Sequence, residues 1–436
     1  MAETRNSPRV AFLTLGCPKN EVDTDSMRAS VAASALSVVD DLDDADVLVI
    51  NTCSFIREAT EESVSTVLEA VSEWVPALGG RRVVVAGCMP SRYGDDLAAS
   101  MPEVDAFVSV KDEGEIVSVI GRLTGTETRA TAAVSATRSV EGFSAYLKIS
   151  DGCHRACAYC TIPTIRGPYT SRALEDIAQE ARELVALGAR EIVLIGQDIT
   201  AYGRDREDGT VLADVVKTVA ATEGLSWLRL MYLQPDGVTD ELLSVMASNP
   251  TVCRYLDMPL QHASAPVLRS MRRRGDGPEY LRLIERIRAV MPDAVLRTTL
   301  IAGFPGETRS DVSALKRFIA EARFDYVGVF AYSPEEGTEA AVMADQVPLR
   351  TRRARAQSLR DLADTLGFER AAARVGETLE VLVEGTDEDE GFIMGRWRGQ
   401  APEIDGLVVL DRGEPGQMVR ATVVDALGYD LEAEVC

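Results

Sequence analysis

Tyr146-Leu147-Lys148-Ile149-Ser150-Asp151-Gly152-Cys153-His154-Arg155-Ala156-Cys157-Ala158-Tyr159-Cys160 is the stretch that decides how this chain is read. An apolar run of strand character, Tyr146–Ser150, feeds into a loop that sets three cysteines within eight residues. Ile162-Pro163 and Arg166-Gly167-Pro168 follow and break regular structure, so the cysteines occupy an irregular loop. Three thiols are an odd number, and neighbours on one tight loop pair poorly as disulfides. Three thiolates converging on one point make a metal site with a vacancy. A four-iron cubane wants one thiolate per iron, so three leave one iron open to a small molecule. Structural zinc is the competing reading. It wants four ligands, and His154, adjacent to Cys153, cannot easily face the same ion, which leaves only the distant His262.

The strand ahead of the loop is the first of six. Tyr146–Ser150, Glu191–Gly196, Leu228–Leu233, Tyr255–Leu260, Val295–Gly303 and Tyr326–Ser333 read as strands, with helical patterns such as Ala173–Leu187 and Asp311–Ala322 between them. Regular βα alternation implies a parallel sheet covered by helices, and six units imply a partial barrel. The cysteine loop then sits on the carboxyl-end rim, where barrel chemistry is done. Upstream, Val10–Leu15, Val47–Ile50 and Arg82–Ala86 are short apolar runs, followed closely by Cys17, Cys53 and Cys88. These cysteines are 36 and 35 residues apart, about one βα crossover. Residues just past the ends of parallel strands share one sheet edge, so the three converge in space. A lone cysteine after a strand is usually inert packing; three in the same register point to a second thiolate site.

With 436 residues and 46% hydrophobic content the chain is long for one domain and can bury substantial cores. No apolar stretch is long enough to span a bilayer, and the N-terminal residues do not read as a signal peptide. Eight cysteines without an export signal read as reduced cytosolic thiols, so a cytoplasmic location and no membrane are expected. From Gly376 the pattern changes to short β-like runs, Leu379–Val383, Phe392–Met394, Leu407–Leu410, Met418–Val424 and Leu431–Val435, which read as a small antiparallel barrel. Residues 371–436 hold 15 acidic and 5 basic residues, densest at Asp387-Glu388-Asp389-Glu390, within a chain of net charge −23. Such a surface is unsuited to nucleic acid and suits a basic protein partner.

The motif Cys153-x₃-Cys157-x₂-Cys160, with Tyr159 before its last cysteine, resembles the radical S-adenosylmethionine (SAM) superfamily. The flanking Tyr146–Gly152 and Thr161-Ile162-Pro163, together with the Cys17/Cys53/Cys88 segment, resemble its methylthiotransferase branch. The resemblance implies an α/β chain: a Rossmann-like parallel-sheet domain over 8–124, a partial (β/α)₆ radical SAM core over 139–369 and a TRAM barrel over 372–436. It implies two [4Fe–4S] clusters, one on Cys153, Cys157 and Cys160 and an auxiliary one on Cys17, Cys53 and Cys88. The first would chelate SAM and cleave it to a 5′-deoxyadenosyl radical; the second would carry the sulfur that is methylated and transferred. Expected SAM contacts are Tyr159, Gly196, Gln197, Gln261, Arg297 and Gly303. Gln197-Asp198 departs from the glutamate often found after the second strand.

Members of this branch modify either a transfer-RNA adenosine or an aspartate of small-subunit ribosomal protein S12. Gly16-Cys17-Pro18-Lys19-Asn20-Glu21-Val22-Asp23 and Asp257-Met258-Pro259-Leu260-Gln261-His262-Ala263-Ser264 resemble the second type, and ribosomal proteins are basic. The expected reaction is therefore methylthiolation of an S12 aspartyl β-carbon, with the transfer-RNA adenosine as the alternative. A non-enzymatic iron–sulfur scaffold or electron carrier would explain clusters but not a barrel with ligand-facing turns. The sequence names no electron donor. Cys253 reads as packing and Cys436 as incidental, and Arg350–Leu366 as a helix bridging core and terminal barrel.

Overall fold

Five strands, β1 (Arg9–Thr14), β2 (Ser37–Val38), β3 (Val47–Thr52), β4 (Arg82–Gly87) and β5 (Ala106–Ser109), form the N-terminal sheet in the order β2-β1-β3-β4-β5. All four ladders are parallel. In this computed structural model residues 7–128, 138, 140, 142–387 and 391–436 are described. Apolar clusters lie on both faces of the sheet, one holding Leu48, Ile50, Val83 and Val85, the other Val47, Val49, Val84 and Ala86. That is why β3 and β4 read as continuous rather than alternating apolar runs. Thr14 is paired with Asn51, and Asn51 with Ala86, so the three central strands end level. The edge strands β2 and β5 escape a periodicity reading because they are short and only partly buried.

The central sheet has the order β13-β12-β11-β10-β9-β6. Its strands are β6 (Ser144–Lys148), β9 (Glu191–Ile195), β10 (Trp227–Leu230), β11 (Val252–Gln261), β12 (Val295–Ala302) and β13 (Tyr326–Ala331), all in parallel pairs. Two-residue strands β7 (Ser150–Asp151) and β8 (Thr170–Ser171) flank the cysteine loop. The sheet is open, the partial barrel expected. Leu147, Leu194, Leu230, Leu256 and Leu296, from five successive strands, belong to one buried core with the covering helices.

β14 (Thr378–Thr386), β15 (Ile393–Trp397), β16 (Val408–Leu410), β17 (Met418–Leu427) and β18 (Asp430–Val435) close the terminal barrel. One ladder, β16 with β18, is parallel, so the barrel is not purely antiparallel. Of the acidic run, Glu388, Asp389 and Glu390 lie outside the described residues.

This barrel is joined to the amino-terminal end of the central sheet by buried charge. Glu191, the first residue of β9, accepts hydrogen bonds from Arg229 Nε at 2.7 Å and from Arg396 Nη2 of β15 at 2.6 Å. Arg396 also reaches Glu384 and Ser144 Oγ, and Trp227 Nε1 donates to Glu380 at 3.0 Å. Arg297, third in β12, contacts Asp257 and Asp405, each at 3.2 Å, and Tyr255 donates to Asp405. Burial alone would raise the Glu191 carboxyl; the cations of Arg229 and then Arg396 override it and hold it down at about 2. The helix Leu349–Ala372 runs between core and barrel, and its Arg370 pairs with Asp325.

The chain therefore resolves into two compact bodies. One is the N-terminal segment with Asp151–Arg155 and Cys160–Thr170; the other is Val140–Ser150, Ala156–Tyr159 and Ser171–Cys436. Core and terminal barrel share a body because a common buried ion network fixes them together. Among the described residues no helix is long and apolar enough to cross a membrane.

Candidate functional site

Cys17, Cys53 and Cys88 follow the level ends of β1, β3 and β4. Two glycines allow the approach. A Cβ on Gly16 (φ +104°) would lie 2.5 Å from Cys53 Cβ, and one on Gly87 (φ +92°) only 2.1 Å from Asn51 Oδ1. Beneath the thiols runs a polar network rather than an apolar floor. Asn20 Nδ2 donates to Leu15 O and Thr52 O, while Asn51 Nδ2 donates to Asn20 O and Thr24 Oγ1. The helix Pro18–Ala32 supplies it, burying Asn20, Asp23 and Thr24 on its inner face. Burial pushes the Cys53 thiol up and the Cys88 thiol up to about 12, against the pull of the Arg166 cation. Burial thus disfavours a bare thiolate at Cys53 and Cys88.

Arg166 comes from the other cysteine loop. Its segment packs with the N-terminal body, and its guanidinium is buried. Nη2 donates to Asp23 Oδ2 at 2.8 Å and Asn20 Oδ1 at 2.9 Å and lies 3.9 Å from Cys88 Sγ; Nη1 reaches Asp151 Oδ2 at 3.1 Å. Burial opposes the charge, but the carboxylates of Asp23 and Asp151 outweigh it and keep the cation. The loop is closed at its base, where Cys153 N–H donates to Gly167 O at 3.2 Å.

The loop is divided between the bodies, with Cys157 and Tyr159 in the larger one. There Ala158 N–H donates to Met271 O and Ala340 N–H to Ala158 O, pinning the backbone. Arg273 Nη1 lies 4.0 Å from Cys157 Sγ, while its Nη2 is held by Gln234 Oε1 and Pro259 O. The Tyr159 ring packs edge-on against Phe304, with centroids 6.5 Å apart. At the end of β9, a Cβ on Gly196 would come within 2.6 Å of Ser150 Oγ. Ser150 Oγ and both amide atoms of Gln197 are buried with no hydrogen-bond partner among the described residues. Native interiors rarely leave such groups unsatisfied, and a bound polar molecule or water would meet them.

Gln261 ends β11 with φ +72°, and His262 N–H bonds back to Leu260 O at 2.9 Å. This is a γ-turn in the conformation that a non-glycine residue adopts only under constraint. His262 Nδ1 accepts from Ser264 N–H, and Nε2 lies 3.4 Å from buried Glu307, so this ring faces protein rather than a zinc ion.

Two expected SAM contacts have protein partners. Arg297 lies in the amino-terminal half of β12, and its guanidinium pairs with Asp257 of the core and Asp405 of the terminal barrel. Gly303 donates its N–H to Glu307, and a Cβ there (φ +80°) would meet Arg352. Cys253 is fully buried in the base of the sheet, as expected of packing, and Cys436 is exposed. Sequence reading passed over Arg166, Asn20, Asp23, Arg273 and Ser150. The available signal was a helix directly after Cys17 whose inward positions, Asn20, Asp23 and Thr24, are polar.

No disulfide joins any of the eight cysteines. Among the described residues no three His, Cys, Asp or Glu side chains surround a single-ion position. A cubane holds its thiolates further apart than a single ion does, one per iron.

Family models match along the chain: the radical SAM superfamily over 147–319, the uncharacterized protein family UPF0004 over 9–109 and the TRAM domain over 375–436. A ribosomal protein uS12 methylthiotransferase RimO of Geobacter sulfurreducens is 42% identical over 440 residues, 98% of both chains. The chain belongs to the RimO family of radical SAM methylthiotransferases. The RimO of Syntrophus aciditrophicus is equally similar, 42% over 444 residues and 98% of each chain. Among solved structures, the radical SAM methyltransferase TsrM of Kitasatospora setae, with cobalamin and a [4Fe–4S] cluster bound, aligns with a TM-score of 0.58 at 15% identity, covering 77% of each chain. The cobalamin-dependent SAM radical enzyme OxsB aligns at 0.52 and 10%, covering 82% of this chain and 56% of its own. At such identities these likenesses establish the fold, a radical SAM architecture.

Proposed function

We propose that this protein inserts a methylthio group at the β-carbon of an aspartyl residue of ribosomal protein uS12. The observation that carries the reading is whole-length similarity to RimO relatives, joined to two cysteine triads in one chain. Cys153, Cys157 and Cys160 are the proposed ligands of the [4Fe–4S] cluster that works with SAM. When bound and reduced, that cluster supplies the electron that cleaves SAM. The chain's part is to seat and orient. Gln197 Nε2 and Oε1 and Ser150 Oγ, all buried and without a partner among the described residues, are the groups proposed to hold polar atoms of SAM. Tyr159, packed on Phe304, and Gln261, in its constrained turn, complete the proposed wall. Cys17, Cys53 and Cys88 are the proposed ligands of a second cluster. A cytoplasmic location follows from a ribosomal protein substrate.

The acidic terminal segment, with no lysine in residues 371–436, favours a basic protein over transfer RNA by charge complementarity. Anaerobic reconstitution with iron, sulfide, SAM and reductant, followed by incubation with uS12 or with transfer RNA, tests this. Mass spectrometry is expected to find the methylthio group on an aspartate of uS12. A product on transfer RNA alone would overturn the assignment.

A further inference from the structure

Arg166 is a residue of the SAM-cluster loop whose cation is spent on the other triad. It lies six residues past Cys160, yet Nη2 is 3.9 Å from Cys88 Sγ and the same nitrogen is held by Asp23 and Asn20. Its side chain is 2% exposed and that of Asp23 is 3% exposed, so bulk water does little to screen the pair. An arginine that merely tied down its loop would need only Asp151 and Asp23. Here Asn20 Oδ1 and Asp23 Oδ2 together aim the same guanidinium nitrogen, Nη2, at the Cys88 side of the triad.

We propose that Arg166 is a positioning residue for the second cluster, which sets its reduction potential by holding a fixed cation and N–H donor beside the Cys88 ligand, with Asp23 as the counter-charge that limits the effect. This rests on the reading that Cys17, Cys53 and Cys88 hold a cluster. Reduction adds a negative charge to the cluster. A cation and donor at a ligating sulfur stabilise the reduced form and raise the potential, and a nearby carboxylate does the reverse. The two residues therefore act with opposite sign. A purely structural role would not produce that pattern.

The test uses the full chain with Cys153, Cys157 and Cys160 all changed to alanine, so that only the second cluster assembles. Iron content and an EPR-monitored redox titration are the readouts. Arg166→Gln is expected to move the reduction equilibrium at least tenfold toward the oxidised form, a potential lower by about 59 mV for one electron. Asp23→Asn is expected to move it the other way, and Arg166→Lys to lie close to the parent. Should Arg166→Gln fail to hold iron, the upward shift of Asp23→Asn decides the matter. Unchanged potentials at full iron content, or shifts of the same sign in both variants, would overturn the proposal while leaving the second cluster standing. A parent that binds no iron would overturn the cluster reading and the proposal with it.

Discussion

The two ends of the central sheet are both polar and both buried, and they differ in that one carries paired charge and the other neutral groups. At the amino-terminal end, Glu191 meets Arg229 and Arg396, and Arg297 meets Asp257 and Asp405. At the carboxyl-terminal end, Gln197 and Ser150 leave buried polar atoms with nothing to bind among the described residues. Buried charge by itself therefore says little about chemistry. Paired, it fastens one domain to another, even where one guanidinium nitrogen, Arg229 Nη2, has no partner among the described residues; Gln197, with neither amide atom met, is the candidate place of a ligand.

The largest effect is expected where the proposed cluster ligands are removed. Cys157→Ala should cut 5′-deoxyadenosine formation by more than about a thousandfold, because a cluster that loses a ligand loses the electron route. Iron analysis and product chromatography check this, and an active variant would separate the loop from the chemistry. Next comes the base. Arg396→Met leaves Glu191 with one of its two cations, and breaking such a buried pair costs about 3–5 kcal/mol. A fall in the urea midpoint is expected, while the KM for SAM of the folded fraction should stay at the parent value.

A smaller effect is set by pH. Glu191 is held at about 2 in the fold, below the ordinary glutamate value of about 4.3. A depressed carboxyl contributes stability that is present above the unfolded value. That contribution is lost as pH falls from about 4.3 toward 2, roughly 3 kcal/mol in all. Comparing the parent with Glu191→Gln in urea unfolding from pH 5 to 2.5 isolates it. The difference between the two should shrink as the solution becomes more acid, and a difference that stays constant would mean that Glu191 does not titrate as the geometry requires.

How much of this was legible beforehand follows from what local pattern can encode. The six core strands and the five of the terminal barrel are visible because each alternates or runs apolar between breakers, and the loop after β6 declares itself by spacing alone. Cys17, Cys53 and Cys88 could be grouped because each follows a strand in the same way. Arg166 could not be assigned, since its partners Asn20, Asp23 and Cys88 lie 146, 143 and 78 residues away. Arg297 shows the converse difficulty. A strand arginine near a ligand-facing turn looks functional in sequence. Only the register, three residues into β12, and its bond to Asp405 108 residues on reveal that it faces the terminal barrel.

The most direct test of the contrast between the two ends is a crossed pair of variants, Gln197→Ala and Arg297→Met, each reconstituted anaerobically and measured for SAM binding by calorimetry and for thermal unfolding. Gln197→Ala is expected to weaken SAM binding about tenfold, the loss of one or two buried hydrogen bonds, with the melting temperature unchanged. Arg297→Met is expected to lower the melting temperature and leave SAM affinity intact. If Arg297→Met loses SAM at full stability while Gln197→Ala binds normally, the ligand end and the fastening end have been assigned the wrong way round.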